Sequence, residues 1–276
     1  MQVRIITLSE NTVGAFGVLA EWGLSILVEA GSLKVLMDTG LSISVPHNAP
    51  RLGVDLATVD KIVLSHGHAD HTGGLRDVLT KTGKVEVIAH PDMWAAKYMR
   101  FGEVDVYIGI PFSREELEAL GASFTLSREP VWITDDIVTT GEIPMITQYE
   151  QIDPNLYVKV DEEFVPDPLL DDRALIIKTD VGLVVILGCG HRGIINTLHH
   201  ARELTGVELV HTVIGGTHLV SASEERVRLT AAALREFGIQ RLGVSHCTGM
   251  PAAMMLAQEF GDAFFFNNAG TRITVP

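Results

Sequence analysis

The sequence predicts an α/β protein in which two mixed β-sheets pack face to face with helices outside them, and three observations lead to that class. Strand-like and helix-like segments interleave through both halves of the chain. With 46% hydrophobic residues over 276 positions, the chain can fill a sizeable core, as one large domain or as a domain carrying an insertion. The densest polar motif also stands where a short apolar run gives way to a helical pattern, at the end of an expected strand.

In chain order, residues 3–8 alternate as a first strand, and 25–29, 34–38, 61–65 and 85–89 read as further strands, with a helix over 71–80. The second half repeats the theme. Strands at 174–179 and 183–187 flank Asp180, Val181 and Gly182, which read as a hairpin turn. A helix over 194–204, a strand over 209–214, a strongly patterned helix over 223–237, a strand over 241–245 and a helix over 251–260 follow. Ser221 or Ser223, with Glu224 and Glu225 behind it, suits the start of the long helix, and Gly238 its stop. Between about 91 and 144 the motif density falls while aromatic, proline and acidic residues rise, which marks an insertion or lid on a single domain. Within it, 113–120 carries a capping serine and acidic first-turn positions, so a short helix ending at Gly121 is expected.

His66, His68, Asp70 and His71 place four metal-binding side chains within six residues. His66 and His68, two apart in extended chain, aim their imidazoles the same way and can share one ion. Asp70 and His71 fall where the helix begins, and a turn there swings them toward a second ion a few ångströms away. Such a pair of divalent ions lowers the pKa of a shared water and polarises an electrophile, and phosphoryl and acyl centres suit it equally.

The run His-x-His-x-Asp-His resembles the signature of the metallo-β-lactamase superfamily. Further blocks resemble one branch of it: Ala-Glu-Trp-Gly-Leu-Ser at 20–25, Met-Asp-Thr-Gly at 37–40, Gly-Cys-Gly-His at 188–191, Ile-Gly-Gly-Thr-His-Leu at 214–219 and Ser-His-Cys-Thr-Gly at 245–249. That branch includes the 7,8-dihydropterin-6-methyl-4-(β-D-ribofuranosyl)-aminobenzene-5′-phosphate synthases. The resemblance runs from about residue 10 to the C-terminus and implies an αββα sandwich holding two divalent metal ions, with zinc, manganese and iron all suited to His and Asp donors. In the synthases the metals would act on a diphosphate leaving group, and hydrolysis of a phosphate ester is the simpler option.

The first cluster cannot close two coordination shells, and His191 and His246 are expected to complete them, since both follow expected strands. His246 matches the last ligand of the superfamily pattern. His191 is a departure: members commonly carry a histidine ahead of the hairpin and an aspartate after it, whereas this chain has Asp171 and Asp172 ahead and Gly-Cys-Gly-His after. His191 is therefore read as supplying the missing imidazole, with Cys189 or solvent in place of the bridging carboxylate. Cys189 otherwise reads as a small buried hydrophobe, as does Cys247. Asp172 is a further candidate for the metal or for the groups that support its ligands. Asp38, at the end of an expected strand, suits the free N–H of a ligand histidine, or else a local turn. Asp70 is expected to orient the attacking water, and His218 either to face the substrate as a proton donor or phosphate partner or to be a histidine without such a role.

The net charge of −14 excludes an extended nucleic-acid surface, which needs clustered lysine and arginine. A small anionic substrate remains compatible with it, with Arg51, Arg173 and Arg192 as candidates for a locally positive mouth. Trp94, Tyr98, Phe101, Tyr107, Phe112 and Trp132 either pack in the core or line a pocket for a planar ring such as a pterin. The N-terminal residues lack the pattern of a signal peptide and no apolar run reaches membrane-spanning length, so a soluble cytoplasmic protein without a membrane partner is expected. Three readings stay open: a dinuclear enzyme acting on a phosphate ester or diphosphate, an acyl hydrolase for lactones, thioesters or β-lactams, and a metal-containing ligand-binding protein without turnover. An iron-dependent reductase of the same superfamily fits less well, because that group resembles His-x-Glu-x-Asp-His and this chain has His68.

Overall fold

The computed structural model describes residues 2–276, and Met1 lies outside the described residues. Two seven-stranded sheets form its centre. The first runs, in spatial order, Arg272–Val275, Val3–Ser9, Ser25–Ala30, Leu33–Met37, Lys61–Val63, Val85–Ala89 and Ala122–Leu126. The second runs Phe264–Phe266, Arg241–Ser245, Val210–Gly216, Gly182–Leu187, Ala174–Thr179, Ile137–Thr139 and Val131–Trp132. Each sheet is mixed, with antiparallel hairpins such as 25–37 and 174–187 continuing into parallel strands.

The layer order follows from the alternation of side chains along the strands. Ile5, Ile26, Val28 and Met37 of the first sheet meet Leu175, Ile177, Val184 and Ile186 of the second in one fully buried cluster between the sheets. Their neighbours in sequence point the other way. Ile6, Leu27 and Leu36 pack outward against helices Ser44–Arg51 and Leu75–Thr82, and Ile176 and Val185 against helices Ile194–Thr205 and Glu224–Glu236. Because both faces of these strands are covered, Gly182–Leu187 and the first four residues of Ala174–Thr179 read as continuous apolar runs, and shifting such a strand by a single residue would exchange its two cores.

Most expected elements lie within a residue or two of their positions. The expected helix over 71–80 is two pieces, Ala69–Thr72 and Leu75–Thr82, parted at Gly73 and Gly74. A Cβ on Gly74 would lie 2.0 Å from the Thr39 carbonyl oxygen, so the chain must carry glycine where it passes the first sheet. Ser113 caps helix Arg114–Ala119 by accepting from the Glu116 N–H, and Ser223 caps the long helix from the Arg226 N–H. Helix Ser44–Arg51 was not anticipated, since it contains Pro46 and Pro50. Pro46 falls in the first turn, where no intrahelical N–H is required, and the helix stops one residue after Pro50.

Residues 91–144, set apart in the sequence as an insertion or lid, divide between layers. Strands Ala96–Phe101 and Val104–Tyr107 join Leu156–Val160 and Glu163–Pro166 in a separate four-stranded sheet. By contrast, Ala122–Leu126 extends the first large sheet and Ile137–Thr139 the second. The small sheet touches the main body through its backbone, where the Ala69 N–H donates to the Ile108 carbonyl at 2.7 Å. No helix among the described residues is long and apolar enough to cross a membrane.

Candidate metal centre

Parallel strands deliver the site. Leu187 lies beside Gly215 and Gly216 beside Ser245, so the residues that follow these strand ends, Gly188 to His191, Thr217 to His218 and His246 to Cys247, gather at one end of the second sheet. The loop 65–71 meets them from the first sheet. Ser65 donates its N–H and its hydroxyl to the two oxygens of Asp38, at 2.7 Å each. The Gly67 N–H donates to Asp171 at 2.9 Å, and the Arg173 N–H to the Ser65 carbonyl at 3.0 Å. A Cβ on Gly67 would fall 2.3 Å from the Met93 carbonyl oxygen, so no other residue fits between His66 and His68 without moving the chain.

Three non-glycine residues at the site have left-handed backbone: Asp38 at φ 60°, His218 at φ 47° and His246 at φ 54°. Such conformations cost about 1–3 kcal/mol each and persist where the surroundings impose them. For His246 the imposing contact is the Glu10 carboxylate, which accepts its N–H at 2.7 Å.

Hydrogen bonds fix which ring nitrogens face inward. The Ser65 hydroxyl proton is committed to Asp38, so His66 Nδ1–H donates to Ser65 Oγ at 2.8 Å and its Nε2 is a lone pair. His71 Nδ1–H donates to Asp38 Oδ2 at 2.7 Å, and His246 Nδ1–H to Asn11 Oδ1 at 2.9 Å, which turns both Nε2 atoms inward as well. These nitrogens then converge. His66 Nε2 lies 2.9 Å from His68 Nδ1 and 3.2 Å from His191 Nε2. His71 Nε2 lies 3.3 Å from His246 Nε2 and 3.1 Å from Cys189 Sγ, while Asp70 Oδ2 is 3.2 Å from His246 Nε2. Donors sharing a tetrahedral ion at about 2.0–2.1 Å stand about 3.3 Å from one another. Lone pairs facing each other at that separation fit a cation between them.

The electrostatics agree. Burial holds His66 and His191 well below the ordinary histidine pKa and lowers His68 to about 3, so these imidazoles stay neutral, which is the metal-binding form. At His71 burial acts in the same direction, but Asp38 and Asp70 outweigh it and raise the ring to about 9. Two carboxylates that favour a proton there favour a metal cation equally. Asp70 itself is held well below the carboxylate range, because the surrounding histidines outweigh its burial.

The expected donors thus gather around His66 Nε2, with His68 and His191, and around His71 Nε2, with His246, while Asp70 stands between them, within 4.8 Å of the His66 and His68 donors and 3.2 Å from His246 Nε2. Cys189 Sγ lies within 4.8 Å of the imidazole donors of His66 and His191 and, equally, of those of His71 and His246. Asp172 belongs to neither group. Its Oδ2 accepts the Arg192 N–H at 2.9 Å, which holds the turn carrying His191, and burial raises its pKa to about 7. His218 stands behind His191, with ring centroids 4.2 Å apart, and its Nε2 is 3.8 Å from Asp153. That distance makes an ion pair rather than a hydrogen bond, and Asp153 is the main reason the ring is raised to about 9 against its burial.

The arginines expected at a positive mouth are elsewhere. Arg173 is buried and donates to the Ser127 carbonyl, Arg192 donates to the carbonyls of Ile143 and Pro168, and Arg51 donates to its own helix at His47. Of the aromatic residues at 94–132, Tyr107 reaches the cavity over the metal donors, whereas Trp94 and Phe112 pack against the first core. This cavity of about 370 Å³ is walled by Trp22, Leu41, Met99, Tyr107, Ile108 and Leu156, with His68, Asp70, His191, His218 and His246 among its polar lining. Trp22, Val220 and His246 also border a neighbouring cavity of about 460 Å³. Sequence reasoning missed Glu10, Asn11, Lys97 and Asp153, which are isolated polar residues without motif context. Lys97 is buried and donates to Asp167 at 2.7 Å and to Asp171 at 2.9 Å. The one available signal was Asp171, which adjoins Asp172 ahead of the hairpin.

Two packed mixed sheets, helices outside them and a histidine-rich centre on their shared edge define a class of metal-dependent fold. The chain belongs to the metallo-β-lactamase superfamily, whose model matches residues 23–200. It is 31% identical, over 97% of its own length and 95% of the relative's, to the 7,8-dihydropterin-6-methyl-4-(β-D-ribofuranosyl)-aminobenzene-5′-phosphate synthase of Methanocaldococcus jannaschii. A solved structure described as a metal-dependent hydrolase of the β-lactamase superfamily superposes with a TM-score of 0.86 at 30% identity, covering 99% of each chain. A diphosphatase of the PhnP family, 13% identical over 100% of this chain and 98% of the other, shares the fold with a TM-score of 0.57.

Proposed function

We propose that this protein is a dinuclear metal enzyme acting on a small anionic phosphate ester or diphosphate, in the manner named for the archaeal synthase or by simple hydrolysis. The observation that carries this reading is the convergence of the inward-facing nitrogens of His66, His71 and His246 with His68, His191 and Asp70 at the spacing of metal ligands. The identity to the synthase over nearly the whole of both chains supports the substrate class. His66, His68 and His191 would hold one ion and Asp70, His71 and His246 the other, with Cys189 near both. Zinc or iron suits a set that includes a thiolate better than magnesium does. When bound, such ions supply Lewis-acid polarisation of a phosphoryl oxygen and a nucleophile at neutral pH.

The chain's own residues do the rest. Asp38 fixes the ring of His71 directly and that of His66 through Ser65, so neither can turn its lone pair away. Asp70 reaches the edge of the cavity, where its carboxylate can orient a water. His218, kept protonated by Asp153, lines the cavity and would serve as the acid for a leaving oxygen. Trp22, Tyr107 and Leu156 present the flat and apolar surface that a ring on the substrate would cover. The small sheet carrying Met99 and Tyr107 forms the roof of this cavity, as part of the same single domain. Two free cysteines at the centre suit a reducing compartment such as the cytoplasm.

Elemental mass spectrometry of protein purified without chelator tests the reading directly. Close to two transition-metal ions per chain is expected, followed by turnover of phosphodiesters or dihydropterin diphosphates; absence of bound metal after supplying zinc, manganese and iron would overturn it. Turnover of lactones or thioesters with none of phosphate esters would transfer the protein to the acyl class.

A further inference from the structure

Cys189 and Cys247 are the only two cysteines in the chain and stand 58 positions apart. The parallel pairing of strands Gly182–Leu187, Val210–Gly216 and Arg241–Ser245 brings the loops that carry them together. Cys247 Sγ lies 3.4 Å from the Cys189 carbonyl oxygen, and the two sulfurs lie within 4.8 Å of each other and of a His218 ring nitrogen. Gly216 lies against the pair, where a Cβ would be 2.6 Å from Cys247 Sγ, so a side chain on the middle strand would displace that sulfur. Both cysteines line the cavity over the metal donors, which gives a small solute a route to them. Their places in the donor set differ. Cys189 Sγ is within ligand range of both histidine groups, whereas Cys247 belongs to neither.

We propose that Cys189 and Cys247 form a reversible disulfide on exposure to a peroxide, and that this bond withdraws Cys189 from both donor groups and releases metal. The metal part rests on the dinuclear reading above; the disulfide itself does not. In the first step the Cys247 thiol attacks the peroxide O–O bond, giving a sulfenic acid and one water. The Cys189 thiol then attacks the sulfenic sulfur, the S–S bond forms, the S–O bond breaks, and the second water leaves. The sulfurs together lose two electrons and the peroxide gains them, and a dithiol reductant returns both thiols. A gap within 4.8 Å must close to about 2.05 Å, by rotation of the two side chains together with movement of the loops that carry them. That movement is what opens the donor set, since His191 follows Cys189 by two residues and His246 precedes Cys247 directly.

The test treats metal-free and metal-loaded protein with hydrogen peroxide. It reads intact mass, thiols by Ellman titration after unfolding, and metal released to a chromogenic chelator. The expected result is a mass lower by two hydrogens in both forms, no remaining thiol, a Cys189–Cys247 cross-linked peptide, and metal release reversed by dithiothreitol with zinc resupplied. In Cys247→Ser the cross-link is absent and metal release at the same peroxide concentration slows by about tenfold or more. Sulfinic acid at either cysteine without a cross-link overturns the proposal, as does equal metal release from the variant and the wild type. Should Cys247→Ser fail to fold, the cross-linked peptide in wild-type protein decides alone. If the untreated protein binds no metal, the dinuclear reading fails, while a cross-link in the metal-free form still establishes the pair.

Discussion

In the first half of the chain, His66, His68, Asp70 and His71 are neighbours in sequence, and one loop held by Asp38 and Asp171 aims them all. In the second half, Cys189, His191, His218, His246 and Cys247 share no loop; three parallel strands each end with one or two of them. The first set is organised by local geometry and close-packed glycine, the second by strand pairing across the sheet. A shift in one hydrogen bond therefore disturbs the first set as a unit, whereas members of the second set can be exchanged singly. The departure at His191 and Cys189 falls in that second set.

The most severe way to break this comparison is to remove ligands from each set. His68→Ala and His191→Ala are both expected to lose one ion per chain and to abolish turnover, with circular dichroism little changed. Full metal content in His191→Ala would show that the second set does not complete the first. A smaller effect is expected at His218, where alanine should leave both ions bound and lower turnover by about 10²-fold or more. Unchanged turnover with intact metal would remove it from the reaction. Asp38→Asn sharpens the claim about local organisation. With Asn presenting an N–H toward His71, metal affinity should fall about 10- to 100-fold, read by chelator competition. If the loss is confined to a single ion, then Ser65 does not transmit the effect to His66. The mildest case is Asp172→Asn, which keeps an acceptor for the Arg192 N–H and should change stability by less than about 1.5 kcal/mol in thermal unfolding. Loss of metal from that variant would make Asp172 a ligand and add a carboxylate to the donor set.

The same contrast explains what could be read from sequence. Strands with both faces covered, such as 174–179 and 183–187, are long apolar runs and were visible, as were helices with capping serines at 113 and 223. The His-x-His-x-Asp-His cluster needed no topology to be seen. His191 and His246 were legible because each follows an expected strand and stands in a block resembling the family. Asp172 was ambiguous because its backbone contact with Arg192 is made across a turn that the sequence does not specify. The short strands of the small sheet escaped because they run over only four to six positions and mix charged residues with aromatic and aliphatic ones, as in Ala96–Phe101 and Val104–Tyr107. Asn11, Lys97 and Asp153 act through partners 65 to 235 residues away, and a single polar residue carries no periodic signal of such a partner.

Lys97 and Asp171 tie the two regions together. The lysine rises from the small sheet over the cavity, and the carboxylate it meets also receives the Gly67 N–H between His66 and His68. The ceiling of the cavity and the loop that carries the candidate ligands thus hang from one shared carboxylate. Acquiring a new substrate is accordingly safest at ceiling positions that face away from this anchor, such as Tyr107, and most hazardous beside it. Inherited variation in specificity should collect on the outer part of the ceiling while residue 97 and its acidic partners stay fixed.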